Sequence, residues 1–371
     1  MIRPRERREE PLRIASFLPS ATEILFALGL GDHVVGVSHE CDYPLAATTR
    51  PRVTTSIVDP AMMSSAEIDE AVSRALAEGR QTYRIDVDLL RRLQPDLIVT
   101  QDLCVVCAVG GTDVRRAAAQ LSPEPRVLAL TPGSLGDVIE DVQILADAAG
   151  AADQGDVLVA ELKARLAVIQ ARTATLDRPR VLCLEWLDPA WIAGHWMPEV
   201  VELAGGVDVL AEAGEPSRRA TWDEIAAAEP EVAIIMPCGF GVERALSEIA
   251  VLESIPQTAR ISAFREDRVF VVDSSSYYSR PSPRLVDGVE LLAAMLHPDR
   301  FPQPLAPCDA VRLPWPPNAR RSTTIHTVPT EAKISRDLVI PTEANEPQVH
   351  VIPHEARDPM GLVILSEAKD P

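Results

Sequence analysis

The chain has 371 residues, 46% of them hydrophobic and 25% charged, with a formal net charge of −19. That length exceeds what one core usually organises, and the apolar share suits an ample interior, so two domains are expected. The acidic balance argues against nucleic acid as a partner, because such binding needs basic patches that displace counterions. No apolar run approaches the ~20 residues of a membrane-crossing helix.

In chain order, residues 1–10 carry charges of both signs, and Pro19 and Glu23 interrupt the apolar stretch that follows. This reads as a first strand over 14–18 and a helix over 20–28 ended by Gly29, rather than as an export signal. Ser20 is the expected N-cap, with Glu23 completing a capping box. A cytoplasmic location is therefore expected, with a periplasmic or cell-surface one if an export signal lies upstream of the start. Strands follow at 34–37, 97–100 and 127–130, then a helix over 134–149 closed by Gly150. Leu158, Leu162, Leu166 and Ile169 mark one face of a long amphipathic helix over 156–176. Strands at 180–184, 232–235 and 268–272 come next, with a helix over 199–204 and a last one over 282–296. Beyond 298 prolines are dense and no period is sustained, so 299–371 is expected to be a largely disordered extension, dispensable for binding.

One phrase occurs twice. Asp88-Leu-Leu-Arg-Arg-Leu-Gln-Pro-Asp-Leu-Ile-Val-Thr100 returns 135 residues later as Asp223-Glu-Ile-Ala-Ala-Ala-Glu-Pro-Glu-Val-Ala-Ile-Ile235. Each copy is a short helix, a proline that ends it, an acid and an apolar strand. The repetition predicts an α/β protein of two doubly wound lobes with mostly parallel sheets, 13–150 and 178–298. One long helix within 151–177 joins them and a ligand cleft lies between.

In such sheets ligands bind beyond the carboxyl ends of the strands. The segments following the strands hold His39, Glu40, Cys41, Asp42 and Tyr43; Gln101, Cys104 and Cys107; Trp186, Trp191, His195 and Trp196; Phe240; and Tyr277, Tyr278 and Arg280. This concentration of aromatic side chains suits a large, flat, partly apolar ligand. Three readings of Cys104 and Cys107 stay open: a redox pair, a metal site completed by His39 and Cys41, or small buried residues. If the chain is exported, two of the three thiols Cys41, Cys104 and Cys107 should oxidise; in the cytosol they stay reduced. No nucleophile elbow, catalytic triad order or phosphate-cradling loop occurs, so no enzymatic activity is expected.

The run Ser16-Phe-Leu-Pro-Ser-Ala-Thr-Glu-Ile-Leu-Phe-Ala-Leu-Gly29 is followed by Val35-Gly-Val-Ser-His-Glu-Cys-Asp-Tyr-Pro44, Leu93-Gln-Pro-Asp-Leu-Ile-Val99 and the Leu-Cys-Val-Val-Cys-Ala loop at 103–108. Together they resemble the cobalamin-binding branch of the iron-siderophore and vitamin B12 class of ABC-importer substrate-binding proteins. The resemblance implies two lobes joined by one helix and a corrinoid such as cobalamin held between them as ligand. No further cofactor is expected, and the chain is expected to be a monomer. It also implies delivery to an importer permease through an acid on each lobe, here Asp113 and Glu243. A siderophore or haem ligand is the alternative within that class. A Cys-based redox or metal-handling protein using Cys104 and Cys107 is the alternative outside it.

Overall fold

The computed structural model describes residues 11–59, 62–102 and 110–317. The first lobe carries β1 (Ile14–Ser16), β2 (Val34–Val37), β3 (Thr54–Ser56), β4 (Tyr83–Ile85), β5 (Leu97–Gln101) and β6 (Arg126–Leu130). The second carries β7 (Arg180–Leu187), β8 (Ala190–Ile192), β9 (Val207–Asp208), β10 (Arg218–Arg219), β11 (Val232–Ile235), β12 (Val269–Val272) and β13 (Ala310–Leu313). The longer helices before the linker are α1 (Pro19–Ala27), α2 (Ser65–Ala77), α3 (Val87–Leu93), α4 (Gly111–Ala118) and α5 (Leu135–Ala149). After them come α6 (Ala152–Thr173), α7 (Met197–Leu203), α8 (Trp222–Ala227), α9 (Val242–Glu248) and a final helix, Arg284–Leu296.

The first sheet has the order β2-β1-β5-β6 and is parallel throughout. The second has the order β10-β8-β7-β11-β12-β13, with a parallel centre and antiparallel strands at both ends. β3 and β4 form a separate antiparallel ribbon. The central strands are buried along their whole length, as apolar runs between two helical layers require. The protein is thus an α/β fold of two lobes. The chain passes between the two sheets along α6, whose Leu158 and Leu162 sit in the first lobe's core and whose Ile169 sits in the second's.

The repeated phrase produces the same device in both lobes. Gln94 and Glu229 end their helices at φ of 45° and 48°, just before Pro95 and Pro230. Asp96 then accepts from the Arg13 backbone N–H at 3.1 Å, and Glu231 from that of Arg180 at 2.8 Å. Each arginine stands at the start of its lobe's first strand and donates its guanidinium to carbonyls where the phrase's helix ends: Arg13 to Leu93, Arg180 to Ala228 and Glu229.

Three expectations need correction. Ser20 does not cap α1; Pro19 occupies the first turn, where its missing N–H costs nothing, and Leu18 is the cap without a side-chain bond. The linking helix is Ala152–Thr173, shifted toward the N-terminus of the expected 156–176. The segment from 299 is not structureless throughout. β13 pairs with β12 in four-residue register, from Val269↔Leu313 to Val272↔Ala310, and Trp315 meets Phe264 edge-on at 4.7 Å. Leu313 and Ala310 supply the apolar contacts that prolines on either side obscure in the sequence. Residues 318–371 lie outside the described part.

Candidate functional site

The segment following β2 is the first lobe's expected contribution to the cleft. Its floor is Cys41, fully buried, whose sulfur accepts from Thr22 Oγ1 at 3.1 Å and lies 3.2 Å from Ser38 Oγ. Burial pushes this thiol's pKa up, so the free thiol stays protonated. His39 is held by Thr54 of β3, whose hydroxyl receives the His39 backbone N–H at 3.1 Å and lies 2.8 Å from Nδ1. Its ring meets Tyr83 of β4 at 5.5 Å, while Nε2 is buried without a hydrogen-bond partner. Burial, and then the Arg52 charge, lower its pKa, which keeps the imidazole neutral at neutral pH.

The rest of this segment engages the second lobe. Arg280 donates to Asp42 Oδ1 at 2.5 Å, to the Glu40 carbonyl at 3.1 Å and to Glu23 Oε1 at 3.4 Å. Arg284 donates to both Glu23 oxygens, at 2.6 and 2.9 Å, with its guanidinium 4.0 Å above the Tyr43 ring. Burial works against the charge of Arg280, but Asp42, Glu23 and Glu40 outweigh it and its pKa is raised. Glu23, expected as a capping residue, is instead the buried acid of an interlobe cluster. Sequence reasoning missed Glu23 and Arg284 here because their partners are 261 residues apart.

On the second lobe, Trp186 and Trp191 are opposite one another in the β7–β8 pair, and Arg219 is opposite Trp191 in the β8–β10 pair. Directly paired residues share a sheet face, so the three make a row, indole–indole–guanidinium, with Arg219 5.3 Å from the Trp191 ring centre. Trp186 meets Phe240 at 5.4 Å, and Arg244 lies over the other ring of that pair, 4.5 Å from Phe240. The Trp186 indole nitrogen is buried without a partner. Both indoles are half-buried.

His195 adopts a left-handed backbone at φ 54°, pinned by its N–H to the Glu215 carbonyl at 2.6 Å. Gly194 before it is forced, since a Cβ there would lie 2.4 Å from that same carbonyl. The His195 ring lies beside Trp196, and burial lowers its pKa.

Trp196, Tyr278 and Phe240 were expected to touch ligand, and the structure places them in the second lobe's cores instead. Trp196 is 6% exposed and donates to the Tyr278 carbonyl at 2.9 Å; Tyr278 is 1% exposed and donates to the Gly288 carbonyl at 3.0 Å; Phe240 is 2% exposed. Each is consumed by packing before any ligand arrives. Tyr277 donates to Asp309 at 2.9 Å, away from the indole row. Gln101 is buried at the end of β5. Beyond it Asp102 accepts from Gly111 N–H at 2.8 Å and from Arg115 at 2.7 Å. Cys104 and Cys107 lie outside the described residues, and with them the completed metal set and the redox pair. Among the described residues no three His, Cys, Asp or Glu side chains cluster to hold a metal, and no helix is long and apolar enough to cross a membrane.

Asp113 and Glu243 stand in the first turns of α4 and α9, the helices that follow β5 and β11, so they occupy matching places in the two lobes. Asp113 pairs with Arg116 at 3.1 Å, while Glu243 is exposed.

Among known proteins, the vitamin B12-binding protein of Vibrio cholerae serotype O1 is 24% identical over 287 residues, 76% of this chain and 88% of that protein. An ABC transporter substrate-binding lipoprotein of Bacillus subtilis is 26% identical over 303 residues, 79% of this chain and 82% of that protein. In solved structures, the periplasmic vitamin B12 binding protein of Vibrio cholerae superposes with a TM-score of 0.57 at 22% identity, covering 76% of this chain and 96% of that one. The periplasmic heme-binding protein of Roseiflexus sp. RS-1 gives 0.59 at 23% identity, covering 79% and 100%. These likenesses share the fold. The expected cytoplasmic location gains nothing from relatives named as periplasmic proteins and a lipoprotein. A family model described as periplasmic binding protein matches residues 14–276, and with its two α/β lobes the chain belongs to that family of substrate-binding proteins.

Proposed function

We propose that the chain binds a corrinoid, cobalamin or a close relative, in the cleft between its lobes and hands it to the permease of an ABC importer on the outer side of a membrane. The observation that carries this reading is the row Trp186–Trp191–Arg219, a flat apolar surface ending in a cation. Such a surface suits a macrocycle with amide and phosphate substituents. In this reading the segment holding His39 supplies the opposite side of the cleft. The vitamin B12-binding relatives, matched over about three quarters of this chain, support the same ligand class. Asp113 and Glu243, one per lobe, are the docking acids in this reading.

Haem is the second reading, favoured by His39, whose Nε2 makes no hydrogen bond and lies 3.8 Å from Glu40 Oε1, and whose imidazole is kept neutral by burial, as ligation of iron requires. Titration separates the two. With purified full chain, cyanocobalamin quenches tryptophan fluorescence saturably in the first reading, whereas hemin gives a saturable Soret shift lost in His39→Ala in the second. Neither response at micromolar ligand overturns both. In neither reading does the protein turn over its ligand.

A further inference from the structure

We propose that α2 is a movable third wall of this cleft, a clasp rooted on the first lobe and fastened to the second, which must let go for ligand to enter or leave. The inference rests on the cleft reading above. The excursion begins and ends on the β3–β4 ribbon, whose register runs from Thr54↔Ile85 to Ser56↔Tyr83. That ribbon is tied to the candidate ligand segment itself, through Thr54 to His39 and through Tyr83 to the His39 ring.

From this root α2 reaches the opposite wall. Asp69 pairs with Arg219 at 3.2 Å, at the end of the indole row. Arg244 donates to the Met63 carbonyl at 2.8 Å, just before the helix. Ile68 packs onto the second lobe's apolar cluster, the one Trp186 also joins. A capping box of Ser64 and Glu67 fixes the start of α2, so these three contacts are presented by a preformed helix end. The fastening is weak by design of its parts. Both charged partners keep solvent contact, at 55% and 26% exposure for Arg219 and Asp69, and such pairs contribute little. Ile68 is only partly buried. By contrast the Glu23–Arg284 contact between the lobes is almost dry. The α2 fastening is thus the wetter of these two contacts between the lobes, and it lies beside the indole row, at Arg219.

The test uses the full chain and the variants Asp69→Ala and Ile68→Asp. In hydrogen exchange without ligand, α2 amides in Ile68→Asp should lose at least tenfold protection while β7, β11 and β12 keep theirs. If α2 protection is unchanged, or falls only together with those strands, α2 is a fixed part of the fold and the clasp is overturned. In stopped-flow quenching with cyanocobalamin, both association and dissociation rates should rise about three- to tenfold in Asp69→Ala, with a smaller change in Kd. A faster dissociation with unaltered association makes α2 a plain ligand contact and overturns the gate. A parent chain that binds neither cyanocobalamin nor hemin refutes the ligand reading, and the exchange result then decides the clasp alone.

Discussion

Arg284 and Glu23 form a two-pronged ion pair across the lobes, with Nε–Oε2 at 2.9 Å and Nη2–Oε1 at 2.6 Å. The Glu23 side chain is 2% exposed and that of Arg284 12%. A buried pair of this kind gives little net stability over an apolar pair, but removing one partner strands the other charge. Arg284→Met should therefore cost roughly 3–5 kcal/mol in urea unfolding. Adding Glu23→Leu should recover most of that loss. A single-variant loss below about 1 kcal/mol would mean that Arg280 alone, 3.4 Å away, suffices to hold the carboxylate.

The C-terminal strand gives a second prediction. Leu313 is 5% and Ala310 2% exposed, and the Trp315 backbone N–H donates to Asp267 at 2.6 Å. A chain ending at residue 304 should be less stable than one ending at 317 by roughly 3 kcal/mol or more, the worth of one buried leucine plus an aromatic contact. It should also aggregate more readily, because β12 becomes an unprotected edge. Equal melting temperatures for the two chains would show β13 to be a passive attachment.

How much of this was legible in the sequence depends on how far apart the causes lie. The phrase around Pro95 and Pro230 announces itself locally, since proline and the apolar run after it act within a few residues. The lobes, the central strands and the linking helix follow from it. β13 is hidden because its four residues stand among prolines and are stabilised by a strand some forty residues earlier and by core clusters of the second lobe. The loops after the strands are readable from the sequence, yet which of their aromatic residues are spent on core packing is not. Trp191 and Trp196 are five positions apart in similar surroundings, and only the β8 pairing turns one outward and the other into the core. The α2 contacts were out of reach for the same reason, being made between residues 150 and more apart.

Asp141, on α5, gives a pH dependence. It is 6% exposed, and burial first, then the charges of Asp137 and Glu140, push its pKa up to about 7. The folded chain thus holds this proton more tightly than the unfolded chain does. The stability it brings is complete below about pH 4 and is lost as pH rises through 7. Asp141→Asn should melt higher than the parent at pH 8, by a gain of about 2 kcal/mol after allowing for the water the carboxyl retains, and equal it near pH 4. Parallel curves across that range would place the proton elsewhere.

The sharpest separation of cleft from core comes from Trp191 and Trp196. Trp191 is half-buried, stacks with Arg219 and lies opposite Trp186 on one sheet face. Replacing it by alanine should weaken cyanocobalamin binding about tenfold, the equivalent of roughly 1.4 kcal/mol, which is within what one aromatic stack supplies. Its effect on unfolding should be small, because solvent already reaches the ring. Trp196 is the opposite case, with its indole N–H spent on the Tyr278 carbonyl and its ring among Met197, Val200 and Leu285 in the core cluster. Trp196→Ala should cost about 3–5 kcal/mol of stability, while the folded fraction binds as tightly as the parent. Urea unfolding and fluorescence titration of both variants decide it. If Trp196→Ala loses affinity out of proportion to its folded fraction, the core opens to ligand and the boundary drawn between wall and cleft is misplaced.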